Sequence, residues 1–213
     1  MANINVSFII PVYNRPDEIN ELLHSFNNLD GNYNFEIVII EDGSNDCSDN
    51  IISNYSNDLN ISYFKKNNTG PGDSRNFGMK KAKGNYFIIL DSDCILPKNY
   101  LLNFFSNINY RYVDCFGGVD DSHHSFTSFQ KAVNFTMTSL ITTGGVRGGR
   151  SRQKSFQARS FNMGISKKTF ELTGGFGNIH PGEDPDLSLR ISKLDLISQL
   201  YNNVKVYHKR RIN

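Results

Sequence analysis

The chain has 213 residues, which fits one ordinary domain and allows a core large enough to fold without disulfides or a structural metal. Its 23 basic and 21 acidic residues nearly balance, and the resulting net charge of +2 argues against a nucleic-acid-binding protein. The three cysteines have no CxxC spacing, which argues against a disulfide framework and against a zinc site. No basic-then-apolar signal opens the chain, and no apolar run approaches the ~20 residues of a membrane span. We therefore expect a cytoplasmic protein, with peripheral attachment to the cytoplasmic face of a membrane left open.

The first two-thirds of the chain alternates apolar strands with helical stretches. Strands are predicted at residues 6–12, 35–40, 61–64 and 86–90, and helices after Pro16 and at about 47–55, 73–82 and 97–105. These strands are apolar on both faces and are separated by helices, so the pattern predicts a parallel sheet that is covered on both sides.

The last third of the chain is less regular. Its patterns predict strands at 115–119, 161–166 and 204–208 and helices at 126–141 and 187–194. Residues 144–154 are rich in Gly and Arg, a composition typical of a loop.

Polar residues follow three of the predicted strands, namely Asn14, the stretch 42–44 and the stretch 91–93. The carboxyl ends of parallel strands form the ligand-binding edge of such a sheet, so we expect these residues to meet in one cleft. Asp91 and Asp93 would repel each other unless a cation lay between them, and Mg²⁺ or Mn²⁺ prefers such oxygen ligands. The alternative is a turn that simply ends the strand, where Asp and Ser are common.

Asp42 and Arg75 are the next candidates. Asp42 either accepts hydrogen bonds from a nucleotide or belongs to a turn in which Ser44 or Asn45 caps the next helix. Arg75 lies just after a Gly-rich turn that opens a helix, where it either pairs with a phosphate or is a solvated surface residue.

Near the C-terminus, Glu183 and Asp184 precede a predicted helix. They are either favourable charges at a helix N-terminus or carboxylates whose raised pKa suits a general base. His208 ends the last predicted strand and is either a surface imidazole or a third metal ligand.

Five stretches of the sequence match, in order, the pattern of one enzyme family. They are "SFIIPVYNRPDEI", "EIVIIEDGSND", "NTGPGDSRNFGMKKAKGNYFIILDSDC", "SFNMGISKKTFELTGGF" and "GEDPDLSLR", with "VYHKRR" ending the match. The chain resembles the family 2 glycosyltransferases over nearly its whole length. The resemblance implies the α/β GT-A fold, in which a Rossmann-like, mostly parallel central sheet is flanked by helices beside a smaller acceptor-side region. It also implies a single domain over residues 1–213, with a nucleotide-sugar-binding half at 1–96 and an acceptor-side half at 97–213.

The implied activity is inverting transfer of a sugar from a nucleotide-diphosphate sugar, usually a UDP-sugar, to a glycan or lipid-linked acceptor. The implied cofactor is Mn²⁺ or Mg²⁺, held by Asp93, with Asp91 contacting either the metal or the ribose and His208 adding a metal contact as in some family members. By the same resemblance, the donor contacts are Pro11, Tyr13, Asn14, Asp42, Arg75, Asp91 and Ser92. Asp184 corresponds to the catalytic base, and Glu183 would orient the base or the acceptor. The motifs do not encode the donor sugar, the acceptor or the linkage.

Two features depart from the family pattern. The sequence stops soon after His208, whereas family members usually continue with helices that shape the acceptor side and often contact the membrane. We therefore expect the half at 97–213 to be C-terminally truncated, with any peripheral membrane association made through the missing segment; the alternative is a minimal domain. The stretch 144–154, with Arg147, Arg150 and Arg152, is not a family motif. Either it closes over the diphosphate or binds an anionic acceptor, or it is a solvated loop.

The early end of the sequence also motivates an alternative function, a non-catalytic nucleotide-sugar-binding domain of a larger synthase. The acids at 91–93 and 183–184 argue against that alternative. A nucleotidyltransferase is disfavoured because Pro-Val-Tyr-Asn-Arg stands at 11–15, where a Gly-rich basic loop would be expected.

Overall fold

The structure is a computed structural model and describes residues 4–143, 157–179 and 181–209. Its strands are β1 (Val6–Val12), β2 (Phe35–Asp42), β3 (Ile61–Lys66), β4 (Tyr86–Leu90), β5 (Cys94–Ile95), β6 (Cys115–Asp121), β7 (Asn162–Ser166) and β8 (Ser198–His208). Its helices are α1 (Pro16–Asn27), α2 (Asp49–Ser53), α3 (Pro71–Lys81), α4 (Tyr100–Tyr110), α5 (Ser128–Thr138), α6 (Leu140–Thr143), α7 (Lys167–Thr173) and α8 (Glu183–Lys193).

The strands form one sheet in the order β3-β2-β1-β4-β7-β6-β8-β5. The predicted parallel pairing is found among β3, β2, β1 and β4. The other half of the sheet is mixed, because β7 runs antiparallel to both β4 and β6, and β5 runs antiparallel to β8. β6 and β8 are parallel, with a register shift between Gly118 and Val119.

Two apolar layers explain why the early strands are apolar on both faces. Side chains alternate across a strand, so Phe8 and Ile10 join the layer that contains residues of α1 and α4. Ile9, one residue between them, joins the opposite layer, which contains residues of α3 and α8. All three are fully buried. This two-sided burial fixes β1, β2 and β4 firmly, and their carboxyl ends form one rim.

Several helix and strand ends differ from the predicted ones. Pro11 lies inside β1, at a position where β1 pairs with β2 alone because its register with β4 stops at Ile9. The helix α8 begins at Glu183 rather than at Leu187, so its first turn contains the acidic residues that favour a helix N-terminus. β8 starts at Ser198, six residues earlier than the apolar pattern indicated, because its first residues pair with β6.

The close approach of β6, β7 and β8 depends on Gly118. A Cβ atom at this position would lie 2.0 Å from Asn162 Nδ2 and 2.3 Å from the carbonyl oxygen of Val204. The side-chain amide of Asn162 is fixed by two hydrogen bonds, because its Nδ2 donates to the Val204 carbonyl and its Oδ1 accepts from the Tyr100 hydroxyl. Glycine therefore allows β8 to reach the rim of the sheet. None of the helices in the described parts of the chain combines the length and apolarity needed to cross a membrane.

Candidate active site

A cleft of about 920 Å³ lies along the rim where β1, β2 and β4 end. Every residue predicted for the site except Glu183 lines it, including Pro11 and Tyr13 on one wall. Glu183 lines a second cleft of about 690 Å³, which shares the loop residues Asn68 and Gly70 with the first. The expectation that polar strand ends meet in one cleft is therefore confirmed.

Asp91, Asp93 and His208 form a cluster at the centre of the cleft. β5 pairs antiparallel with β8, with Cys94 opposite His208, which brings the end of the last strand beside the end of β4. His208 Nε2 lies 2.9 Å from Asp93 Oδ1 and 4.0 Å from Asp91 Oδ2. The backbone N–H of Lys209 donates to the Asp93 carbonyl at 2.8 Å and fixes this arrangement.

The charge on His208 is set by opposing effects. Burial disfavours the imidazolium, but hydrogen bonding to Asp120 and Asp93 and the nearby charge of Asp91 outweigh it and raise the pKa to about 9. A protonated His208 therefore offsets the mutual repulsion of these carboxylates.

The donor atoms of the cluster fit a hard divalent cation. Ligand atoms of Asp93, Cys94 and His208 lie within 4.8 Å of one another. The Cys94 thiol donates to the Phe161 carbonyl at 3.5 Å, and burial raises its pKa well above the usual range, so it stays protonated. The remaining donors are carboxylate oxygens and, once His208 releases its Nε2 proton to make room for the metal, one imidazole nitrogen, a set that suits Mn²⁺ or Mg²⁺.

Arg75 is buried rather than solvated and links two sides of the cleft. Its Nη2 donates to Asp91 Oδ1 at 3.0 Å and its Nη1 lies 3.5 Å from Glu183 Oε1. The guanidinium also lies over the Phe176 ring, 5.2 Å from its centroid. This places a fixed positive charge between the end of β4 and the start of α8.

The two carboxylate oxygens of Asp184 have different surroundings in the part of the chain that the structure describes. Its Oδ2 accepts from the backbone N–H of Ser160 at 3.1 Å and from the Ser160 hydroxyl at 3.2 Å. Its Oδ1 is buried and has no hydrogen-bond partner among the described residues. Desolvation raises the pKa of Asp184, against the opposing effects of Arg75 and Ser160. Desolvation therefore makes this carboxylate a stronger proton acceptor than a solvated one.

Two of the predicted donor contacts also hold loops of the cleft wall. Asp42 Oδ1 accepts from Lys66 Nζ at 2.5 Å and from the Thr69 N–H at 3.0 Å, and its Oδ2 accepts from the Gly70 N–H at 3.0 Å. Asn14 has a left-handed backbone, with φ at 52°, and its Oδ1 accepts from the backbone N–H groups of residues 45 and 46. Both side chains therefore shape the wall in addition to any contact with a ligand.

Two further predicted donor contacts, Tyr13 and Ser92, hold no loop of the wall among the described residues. Tyr13 is 51% exposed at the rim. The Ser92 hydroxyl donates to Glu18 Oε2 at 3.1 Å, so it is anchored to α1.

Ser160 and Asp120 are the site residues that sequence reasoning missed. Asp120 lies at the end of β6, so the rule that polar residues follow strands at this edge could have found it. Ser160 lies in an irregular segment before β7, and no local pattern marks it. The predicted loop 144–154, with its three arginines, lies outside the described residues.

Comparison with known proteins places the chain among glycosyltransferases. The family model described as Glycosyl transferase family 2 matches residues 7–171, which is most of the chain. An uncharacterized glycosyltransferase of Rickettsia bellii is 37% identical over 126 residues, covering 54% of this chain and 18% of that protein. The poly(ribitol-phosphate) beta-N-acetylglucosaminyltransferase TarS of Staphylococcus aureus is 38% identical over 98 residues, covering 45% of this chain and 17% of that protein. The chain therefore matches less than a quarter of the length of these relatives.

Solved structures share the fold at lower sequence identity. The crystal structure of S. aureus TarS residues 1–349 with UDP-GlcNAc matches with a TM-score of 0.74 and 22% identity, covering 99% of this chain and 60% of that one. The mannosyltransferase PcManGT from Pyrobaculum calidifontis, in complex with GDP-Man and Mn²⁺, matches with a TM-score of 0.73 and 16% identity, covering 98% and 57%. The fold is the GT-A fold, as the motifs implied. With the family model covering most of its residues, the chain belongs to glycosyl transferase family 2.

Proposed function

We propose that this chain is an inverting, divalent-metal-dependent glycosyltransferase that moves a sugar from a nucleotide-diphosphate sugar to a hydroxyl of a glycan or lipid-linked acceptor. The observation that carries the proposal is that the buried carboxylate of Asp184, whose Oδ1 has no hydrogen-bond partner in the described part of the chain, lines the same cleft as the Asp91, Asp93 and His208 cluster. A base for the acceptor and a site for the donor phosphates would thus line the same cleft.

UDP-sugars are the first donors to test. The relative TarS is named as an N-acetylglucosaminyltransferase that acts on poly(ribitol-phosphate), and its structure has been solved with UDP-GlcNAc. The mannosyltransferase structure contains GDP-Man and Mn²⁺ instead, so a guanine donor belongs in the same screen. These matches support a nucleotide-sugar donor in general.

The donor side of the proposed mechanism concerns charge. When bound, a divalent cation supplies positive charge that offsets the charge developing on the leaving diphosphate. Asp91, Asp93 and His208 are the residues that would hold it. Arg75 adds a second positive charge beside Asp91, and its contacts with Asp91 and Glu183 keep that charge in place before the reaction begins.

The acceptor side concerns one proton. In the proposed step, the acceptor oxygen forms a bond to the anomeric carbon while the bond from that carbon to the diphosphate oxygen breaks. The hydroxyl proton moves to the Asp184 carboxylate, which lines the cleft. Ser160 donates to Oδ2 and so fixes the orientation of that carboxylate. Attack from the face opposite the leaving group inverts the anomeric carbon, and no covalent enzyme intermediate is required.

Two measurements test the proposal. The melting temperature of the protein should rise when a nucleoside diphosphate and Mn²⁺ are added together. The donor is then identified by screening UDP-, GDP-, TDP- and CMP-sugars for this rise, with and without the metal. Asp184→Asn should retain that shift yet lose about 10²–10⁴-fold in transfer rate, because a general base typically contributes that much.

Asp186→Asn is the matched control for the base assignment. Asp186 lies in the same first turn of α8, but it contacts Arg190 at 2.7 Å and lines neither cleft. The Asp186→Asn variant should transfer sugar at the rate of the unchanged protein. Full activity of Asp184→Asn would refute the base, and a melting temperature that no nucleotide with metal moves would refute the donor site.

A further inference from the structure

Asp120 lies fully buried beside the proposed metal cluster, yet it has no role in the mechanism above. Its side chain is 0% exposed at the end of β6. Burial of a carboxylate is strongly unfavourable unless charged or hydrogen-bonding groups surround it. Asp120 has such groups on two sides. On one side the Asn134 side-chain amide of α5 donates to Asp120 Oδ1 at 3.2 Å. On the other side His208 Nδ1 faces it, 3.8 Å from Oδ2.

These contacts form one polar chain from α5 to the centre of the cleft. It runs from Asn134 to Asp120, from Asp120 to the Nδ1 side of His208, and from the Nε2 side of His208 to Asp93 at 2.9 Å. Asn134, Asp120 and His208 are each more than nine-tenths buried. The two nitrogens of the imidazole thus face different carboxylates, one deep in the protein and one in the cleft.

The two nitrogens also have different tasks. A neutral imidazole binds a metal through the nitrogen that carries the lone pair, and its other nitrogen then carries the proton and needs an acceptor. Metal-binding histidines commonly donate that second N–H to a carboxylate, which fixes both the tautomer and the ring orientation. In this chain Nε2 faces Asp91 and Asp93, whereas Nδ1 faces Asp120.

We propose that Asp120 is a positioning residue that accepts the Nδ1–H of His208 and thereby directs the Nε2 lone pair of that ring toward the metal. The inference rests on the proposed function, since it takes Asp91, Asp93 and His208 as the metal ligands. It adds a residue that does not touch the metal but decides whether His208 can bind it.

The Asp120→Asn variant tests this tautomer argument with almost no change in shape. The amide of that variant can donate to Nδ1, which moves the ring proton to Nε2 and removes the lone pair that the metal needs. We expect the affinity for Mn²⁺, measured by isothermal titration in the presence of UDP, to fall about 10–100-fold. Asp121→Asn is the matched control, because the neighbouring Asp121 contacts the exposed Lys205 at 3.3 Å, and its Mn²⁺ affinity should not change.

A double-variant comparison separates positioning from general damage. His208→Ala should weaken Mn²⁺ binding, and adding Asp120→Asn to it should weaken binding no further, because Asp120 acts through His208. Additive losses would overturn the inference, as would an Asp120→Asn variant that binds Mn²⁺ as tightly as the unchanged protein while His208→Ala does not.

Nuclear magnetic resonance of the unchanged protein provides a test that does not depend on the folding of a variant. With Mg²⁺ and UDP bound, the His208 ring should carry its proton on Nδ1, in a hydrogen bond that slows exchange with water. A proton on Nε2 in that state would overturn the inference. Absence of any Mn²⁺ or Mg²⁺ binding by the unchanged protein would instead overturn the metal of the proposed function, and this inference with it.

Discussion

Removal of the Ser160 hydroxyl should shift the pH dependence of transfer while leaving its maximum rate nearly intact. In Ser160→Ala, Asp184 Oδ2 loses the hydrogen bond from the hydroxyl at 3.2 Å but keeps the one from the backbone N–H at 3.1 Å. A hydrogen bond to a charged group contributes about 1.5–3 kcal/mol, and one pKa unit corresponds to about 1.4 kcal/mol. The bond is long and comes from a neutral hydroxyl, so we take the lower end and expect a shift of about one pH unit.

The direction of the shift follows from the charge of the base. Both Ser160 donors stabilise the charged carboxylate, so the loss of one raises the pKa of Asp184 further above its usual range. The base then stays protonated up to a higher pH, so the acid limb of the kcat profile moves to higher pH. At any pH on that limb, the variant should be about tenfold slower than the unchanged protein. At high pH the two rates should match.

A pH–rate profile with saturating donor, metal and acceptor measures this shift. Ser188→Ala is a suitable control, since Ser188 is also buried and its hydroxyl donates to the Ala158 carbonyl instead. An equal loss of rate for Ser160→Ala at every pH would refute the reasoning, because it would show that Ser160 acts on geometry and not on the basicity of Asp184.

Three further predictions concern stability. Burial raises the pKa of Asp184 above its unfolded value, so ionisation of this carboxyl destabilises the folded state. Asp184→Asn should therefore raise the melting temperature at pH 8. This gain should disappear as the pH falls below the folded pKa, because the carboxyl of the unchanged protein is then neutral. Arg75→Lys should lower the free energy of unfolding in urea by about 1.5 kcal/mol, because a lysine cannot contact both carboxylates that the guanidinium reaches, and an unchanged value would contradict that account. Gly118→Ala should lower the free energy of unfolding by about 1–3 kcal/mol, because the new Cβ would lie 2.0 Å from Asn162 Nδ2. The control is Gly72→Ala, whose Cβ would have its nearest neighbour at 3.5 Å and which should fold as stably as the unchanged chain. Equal melting temperatures for the two variants would refute the steric argument.

The early strands and the rim of the cleft could be predicted from sequence because one physical effect dominates there. β1, β2 and β4 are buried on both faces, so their apolar runs are nearly continuous, broken only by the buried Ser7 and Glu36, and end abruptly at polar residues. The carboxyl ends of parallel strands meet at one edge, which is why the strand pattern alone assigns Asp42 and Asp91 to a common cleft.

The second half of the sheet could not be derived in the same way. β7 lies between β4 and β6 and runs antiparallel to both, a pairing that depends on distant segments and not on the pattern of β7 itself. β5 has only two residues, too few for any periodic signal. Ser160 reaches Asp184 through tertiary packing alone, so local sequence cannot identify it. Asp120 is a different case, because it obeys the strand-end rule and was overlooked.

The pairing of β5 with β8 has a consequence for the order of folding. Asp93 and His208 lie far apart in the sequence and meet only when β8 enters the sheet between β6 and β5. Contacts of such long range form late, because the intervening loop must close first. An ion held by both residues would therefore bind only after β8 has entered, and it would stabilise that closed sheet by a free energy that rises with the logarithm of its affinity. Metal binding would then report on completion of the fold as well as on readiness for the donor.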